Sequence, residues 1–198
     1  MAEVTLKRMM IDEFLRWEDG TDTRYELIEG HPVAMAPPMP GHGVIAVALG
    51  AELRAALRPR PSCFVQAEAG IARPERDDTC YVADLAVSCD PPRPGDRLIR
   101  DPMLIVEILS PGTAVFDRQS KIPDYRRIPS VQEILLIDSE SIFAEILRRS
   151  GEQWITEIVR GPDAMLSLVS IPLTVTMSEL YRGLFVLEAL TQQTAGTS

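Results

Sequence analysis

Val82-Ala83-Asp84-Leu85-Ala86-Val87 and Leu104-Ile105-Val106-Glu107-Ile108-Leu109 decide the fold of this chain. Both runs are short and apolar, and turn-forming residues flank them, as expected of strands in a sheet interior. Each carries one carboxylate in its middle. A carboxylate inside an apolar strand is costly to bury unless it is paired or holds a metal ion. If the two strands are neighbours, Asp84 and Glu107 project from one sheet face and share a hard divalent cation, which prefers oxygen ligands. Either acid alone reads equally well as an edge position or an arginine partner; the two together favour a site.

Upstream of these strands, Leu6, Met9, Met10, Phe14 and Leu15 have helical spacing, predicting a helix from Thr5 to Trp17. Tyr25 to Ile28 and Val33 to Met35 flank Glu29-Gly30 as a β-hairpin. After the proline-rich run 36–41, a helix from about His42 to Leu57 carries Ile45, Leu49 and Leu53 on one stripe, and Pro59 and Pro61 stop it. Residues 63–72 form a further strand. Downstream, Ser110-Pro111-Gly112-Thr113 breaks the second apolar strand, a helix runs from about Asp117 to Arg127, and Glu133 to Asp138 is a nearly all-apolar strand. Two more strands, 142–147 and 154–159, turn at Ser150-Gly151, and a last helix begins near Met177. This order gives an α/β (α+β) domain with a central mixed sheet flanked by helices. We expect one domain over 1–190, with a core at about 42–140, an N-terminal helix and hairpin at 5–36, a C-terminal β extension at 141–190 and a disordered tail at 191–198.

The 198 residues are 45% hydrophobic and 25% charged, ordinary for one globular core. No stretch is apolar for long enough to span a membrane and the N-terminus lacks a signal-peptide pattern, so a cytoplasmic protein is expected. Cys63, Cys80 and Cys89 contain no C-x-x-C pair and read as small buried apolar residues rather than a disulfide or zinc set. With only His31 and His42 present, a histidine-rich metal centre is excluded. A net charge of −9 argues against a protein that coats nucleic acid, while leaving room for a local arginine-lined groove.

Of 20 basic residues only Lys7 and Lys121 are lysine. An ammonium is a compact charge and a guanidinium a wide fork, so a lysine kept in an arginine-using chain suits a place beside an attacking water. The plainer alternative is a surface ion pair between Asp117 and Lys121, four residues apart on a helix. Asp84, then Glu107-Ile108-Leu109-Ser110-Pro111-Gly112-Thr113, then Asp117-Arg118-x-x-Lys121-x-x-x-Tyr125, together resemble a bacterial restriction endonuclease-like branch of the PD-(D/E)XK superfamily. Tyr25-Glu26-Leu27-Ile28-Glu29-Gly30, His42 and the strand from Glu133 to Asp138 match the same branch, so the resemblance covers roughly residues 5 to 185. Two positions depart from the superfamily pattern. Ala83 stands where proline usually precedes the aspartate, and Leu109 where the motif lysine would be, with Lys121 on the following helix in its stead.

The resemblance implies a restriction-endonuclease-like fold and hydrolysis of DNA phosphodiester bonds, with Asp84, Glu107 and Lys121 as catalytic residues. It places Mg²⁺, for which Mn²⁺ would substitute, on Asp84, Glu107 and the main-chain carbonyl of Ile108. His42 is either a further metal neighbour or an N-terminal helix cap, and Glu26 matches a family position without a mechanistic role. Arg54, Arg58, Arg118, Arg126 and Arg127 are candidates to line a DNA groove, although solvated helix faces account for them equally. A homodimer is expected from the apolar extension at 142–187, with Ile142, Phe143, Ile146, Trp154, Ile158, Leu180, Leu184 and Phe185. The rival reading is a catalytically inactive binding or assembly module on the same fold.

Overall fold

A computed structural model describes residues 8–186. Its centre is an eight-stranded mixed sheet. In chain order the strands are β1 (Tyr25–Ile28), β2 (His31–Ala34), β3 (Phe64–Ala72), β4 (Cys80–Ser88), β5 (Pro102–Leu109), β6 (Glu133–Asp138), β7 (Phe143–Ser150) and β8 (Gln153–Arg160). They lie in the order β2-β1-β4-β5-β6-β7-β8, with β3 paired along β4. Only β5 and β6 run parallel, because their connection crosses over a helical segment; the other pairs are antiparallel. The predicted central mixed sheet and its strand positions are therefore present.

Helix α2 (Pro40–Ala56) covers one sheet face through its buried stripe Ile45, Leu49 and Leu53. Pro40 opens it where a missing N–H costs nothing. The opposite face is closed by the crossover: α3 (Ala114–Phe116), a π-helical turn at Asp117–Lys121, and α4 (Ile122–Tyr125). Pro123 accounts for the widened turn. It cannot donate to the carbonyl four residues back, and its ring crowds that carbonyl, so the turn before it opens. Two buried clusters result, one around α2, Leu85, Val106 and Leu135, the other around Ile105, Ile122, Tyr125 and Ile134. The β1–β2 hairpin turns on Gly30 at φ 82°, where an added Cβ would meet the Arg8 side chain at 2.9 Å.

Several expectations are corrected. The apolar residues of the C-terminal extension are mostly spent inside the fold: Ile142, Ile146 and Leu180 join the core beside α2. Together with a hairpin of β9 (Met165–Leu168) and β10 (Leu173–Thr176) and the short α5 (Met177–Leu180), the extension completes the cover of one sheet face. Ile158 and Phe185 do remain exposed. Cys63 and Cys89 form a disulfide, because β3–β4 pairing sets Phe64 opposite Ser88 and so brings the flanking cysteines together; only Cys80 is the buried free thiol expected of all three. Of the helix predicted at 5–17, the described residues 8–17 keep only one turn, α1 (Ile11–Phe14), with 8–10 and 15–17 non-helical, and the expected tail at 191–198 lies outside the described residues.

Candidate active site

The β4–β5 ladder runs from Ser88–Pro102 to Leu85–Val106 and registers no pair beyond it. Past that point the strands part, and β1 joins the same side of β4 at Leu27–Cys80. Buried backbone groups facing the resulting notch need partners other than a neighbouring strand. Side chains supply them. Asp84 Oδ2 accepts the Ile108 N–H at 2.6 Å, Glu26 Oε1 accepts the Val82 N–H at 2.8 Å, and Lys121 Nζ donates to the Val82 carbonyl at 3.2 Å. The crossover helix thus returns the displaced lysine to Glu107 and to Glu26 on β1, while Asp84 is held by the Ile108 N–H and His42.

Lys121 is 6% exposed and is not a surface residue. Its Nζ lies 2.9 Å from Glu26 Oε1, 3.3 Å from Asp117 Oδ1 and 3.4 Å from Glu107 Oε1. The pair with Asp117 exists as the plainer reading has it, but buried and shared with two further acids. Tyr125, one helical turn on, donates its hydroxyl to Glu107 Oε1 at 2.7 Å. His42 Nε2 sits 2.9 Å from Asp84 Oδ1, and Met39, not His42, occupies the cap position of α2, so the capping alternative is wrong. Asp84 and His42 are about one-fifth exposed and form the solvent-facing end of the notch.

Four carboxyl groups, Glu26, Asp84, Glu107 and Asp117, therefore share one ammonium and one imidazole. Burial pushes the Glu107 carboxyl well above its ordinary value; Lys121 opposes the shift, while Asp84 and Asp117 add to it. Asp117 is raised by burial for the same reason. For Lys121, burial alone would favour the neutral amine, but Glu107, Glu26 and Asp117 outweigh it and hold the ammonium above the usual lysine range. His42 is raised by its hydrogen bond to Asp84 against a smaller effect of burial.

The donor chemistry at the notch fits a hard divalent cation: carboxylate oxygens predominate, with Glu26, Asp84, Glu107 and Asp117 gathered around one ammonium and one imidazole. Among the described residues no three His, Cys, Asp or Glu side chains stand at metal-ligand spacing, since Asp84 Oδ1 faces His42 and Glu107 Oε1 faces Lys121 and Tyr125.

The arginine candidates do not gather at the notch. Arg118 forms a two-point pair with Glu145, Arg127 pairs with Glu75, and Arg126 lies over the Trp154 ring. Arg54 and Arg58 line an open concavity of about 670 Å³ with Arg60 and Phe64. Arg54 sits roughly 18 Å along α2 from His42, at 1.5 Å per residue, and Arg58 lies past the end of the helix. At 100° per residue Arg54 also lies about 120° round α2 from His42, so one groove does not hold both ends.

Glu26, Asp117 and Tyr125 complete the cluster beyond the residues singled out as catalytic. Glu26 left one usable signal in the sequence: an acid directly beside Leu27 on a short strand, where both residues turn out to be buried.

The comparisons bear on the family and the fold. The chain is 30% identical over 176 residues to the uncharacterized protein slr1290 of Synechocystis sp., covering 87% of this chain and 91% of that protein. It is 27% identical over 168 residues to sll1609 of the same organism, covering 83% and 94%. Among solved structures, a protein from Anabaena variabilis described as a "putative nuclease belonging to DUF820" superposes with a TM-score of 0.70 at 23% identity, over 87% of this chain and 97% of the other; at that identity the likeness bears on the fold. Residues 11–178 match the family described as "Uma2: Putative restriction endonuclease", and the chain belongs to that family, within the restriction endonuclease-like superfamily.

Proposed function

We propose that the protein is a Mg²⁺-dependent endonuclease hydrolysing DNA phosphodiester bonds. The observation that carries this reading is the buried excess of carboxyl groups around Lys121 where β4 and β5 part. A fold that merely needed filling there would use apolar side chains, since buried charge is weak support for stability.

In this reading Asp84, Glu107 and the Ile108 carbonyl hold the cation, the carbonyl facing the same side of its strand as the N–H that Asp84 now accepts. Bound Mg²⁺, or Mn²⁺ in its place, polarises the scissile phosphate and lowers the pKa of the attacking water. Water adds to phosphorus and the P–O ester bond breaks; one water hydrogen stays with the new phosphate monoester, ionising to solvent, and the departing alkoxide takes up a proton from water to leave as the hydroxyl end. Lys121, held protonated, cannot act as a general base; it donates to the attacking water and offsets charge growing on the phosphate oxygens. His42 steadies Asp84 through Nε2, 2.9 Å from Oδ1. Arg54 and Arg58, which have no carboxylate partner among the described ion pairs, are the arginines left free for phosphate contacts away from the cut.

Calorimetric titration with Mn²⁺ tests the reading. The parent binds with 1:1 stoichiometry, and Asp84→Asn lowers affinity at least about 100-fold while remaining folded, because the near-isosteric amide still accepts from Ile108. Binding of equal strength in both would move the site elsewhere.

Lys121 has all its donors engaged and the chain is strongly acidic, which favours the inactive binding module as a second reading. The same titration separates the two, because such a module has no reason to bind Mn²⁺ at two strand acids. We further propose a cytoplasmic homodimer; among the described residues no helix is long and apolar enough to cross a membrane. Strand β8 lies at the end of the sheet with an open edge and exposed Ile155 and Ile158 on its opposite faces, an edge along which a two-fold copy would pair. Sedimentation at micromolar concentration is expected to show about twice the 21.9 kDa chain mass. A species of chain mass alone removes the dimer.

A further inference from the structure

We propose that Glu26 is the positioning residue for Lys121, an assignment that rests on the nuclease reading for its catalytic consequence but not for its geometry. The lysine of this chain arrives from a helix rather than from the strand that bears Glu107, so its head group needs something to fix it. Asp117 is on the same helix as Lys121 and moves with it. Glu107, in this reading, turns to the cation. Glu26 is the carboxylate that belongs to neither: it is on β1, it is 7% exposed, and its Oε1 is the nearest acidic oxygen to Lys121 Nζ, at 2.9 Å.

That oxygen also accepts the Val82 N–H at 2.8 Å, while Lys121 donates to the carbonyl of the same residue at 3.2 Å. Glu26, Lys121 and the Val82 peptide groups thus form a closed set of contacts that replaces a missing strand beside β4. Val82 is fixed on its other side by β3, opposite Gly70. Glu26 therefore refers the lysine to the rigid sheet, two residues from Asp84. Its place is set in turn by the hairpin register, with Glu26 opposite Val33 and Leu27 beside Cys80. Charge-assisted bonds of this kind are strong and directional, and a side chain on a strand holds position better than one on a loop.

The chain has only two lysines, which makes a direct test practical. Protein labelled with ¹⁵N-lysine gives two side-chain ammonium signals, and Lys7→Arg assigns that of Lys121 by elimination. In Glu26→Gln the amide oxygen still accepts from Val82, so the fold is kept and only the anionic partner of the ammonium is lost. The Lys121 signal is expected to shift and its proton exchange with water to quicken at least about tenfold. In cleavage of plasmid DNA with Mg²⁺, kcat falls about 10- to 100-fold with KM nearly unchanged, the loss expected for one charge-assisted hydrogen bond. An unchanged Lys121 signal and exchange rate in Glu26→Gln overturns the assignment, whatever happens to cleavage. If the parent does not cleave, the nuclease reading fails, and the ammonium signal alone still decides whether Glu26 holds Lys121.

Discussion

Lys121→Met is expected to lower DNA cleavage about 10² to 10³-fold, the usual loss when one preorganised electrostatic donor is removed. Methionine fills the space of the buried stem and so isolates the head group. The cost is not confined to rate. Glu26, Glu107 and Asp117 lose their common cation, and breaking a buried ion pair from one side typically destabilises by roughly 3 to 5 kcal/mol, less here to the extent that the stranded acids take up protons. Rates are therefore compared per folded molecule, with circular dichroism giving the folded fraction. Lys121→Arg keeps the charge but forces a wider, planar group into a site that is 6% exposed. It is expected to fold less stably, by about 1 to 3 kcal/mol, and not to recover the parent rate. Equal rates in parent, methionine and arginine variants would remove Lys121 from the mechanism and leave it as structural.

The second large effect has the opposite sign on stability. Burial raises the Glu107 carboxyl well above its ordinary value, so between the unfolded value of about 4.3 and the raised folded value the native state binds more protons than the unfolded one. Stability of the metal-free protein from this group is thus complete below the unfolded value and lost as pH rises through the folded one. Glu107→Gln deletes that loss while still accepting from Tyr125. At neutral pH and without metal the variant is expected to exceed the parent by at least about 1 kcal/mol, or roughly 2 to 4 °C in Tm. Asp117 is raised too, so a shallower pH slope persists in the variant. Adding Mg²⁺ should reverse the ranking, because the parent alone gains a ligand, and gains most at the upper end of the window where Glu107 has lost its proton. Melting curves of both proteins across pH, with and without Mg²⁺, check this. A parent as stable as the variant in metal-free buffer would mean that the Glu107 charge is already compensated and that no cation is needed there.

These two residues were readable in the sequence because each breaks a local rule: Glu107 is a charge in an apolar strand, and Lys121 a lysine in an arginine-using chain. Asp84 was readable on the same ground as Glu107. The roles of Glu26 and His42 were not, since both depend on contacts made over long stretches of chain, Glu26 with Val82 and Lys121, His42 with Asp84. A histidine near the start of a helix looks alike whether it caps or reaches past the helix end. Apolar runs and turn residues mark the strands; β1 and β2, four residues each, show through the Glu29-Gly30 turn between them, whereas β9 and β10, equally short, are joined by Val169-Ser170-Ile171-Pro172, which has no glycine to mark a turn. The cysteine pairing escaped because strand register, not spacing, brings Cys63 and Cys89 together.

The π-helical turn at Asp117–Lys121 makes the crossover intolerant of length changes on one side only. Each residue added or lost in a helix rotates everything beyond it by about 100° relative to everything before it. A single deletion between Asp117 and Lys121 would leave the two three apart and still in pairing reach, but turn the lysine away from Glu26 and Glu107 on the sheet, whereas the exposed turn at 111–113 lies outside that phase relation. Within the family, gaps and insertions should therefore collect before Asp117 and spare the interval to Tyr125, so that the helix keeps time between strand and lysine even where the sequence drifts.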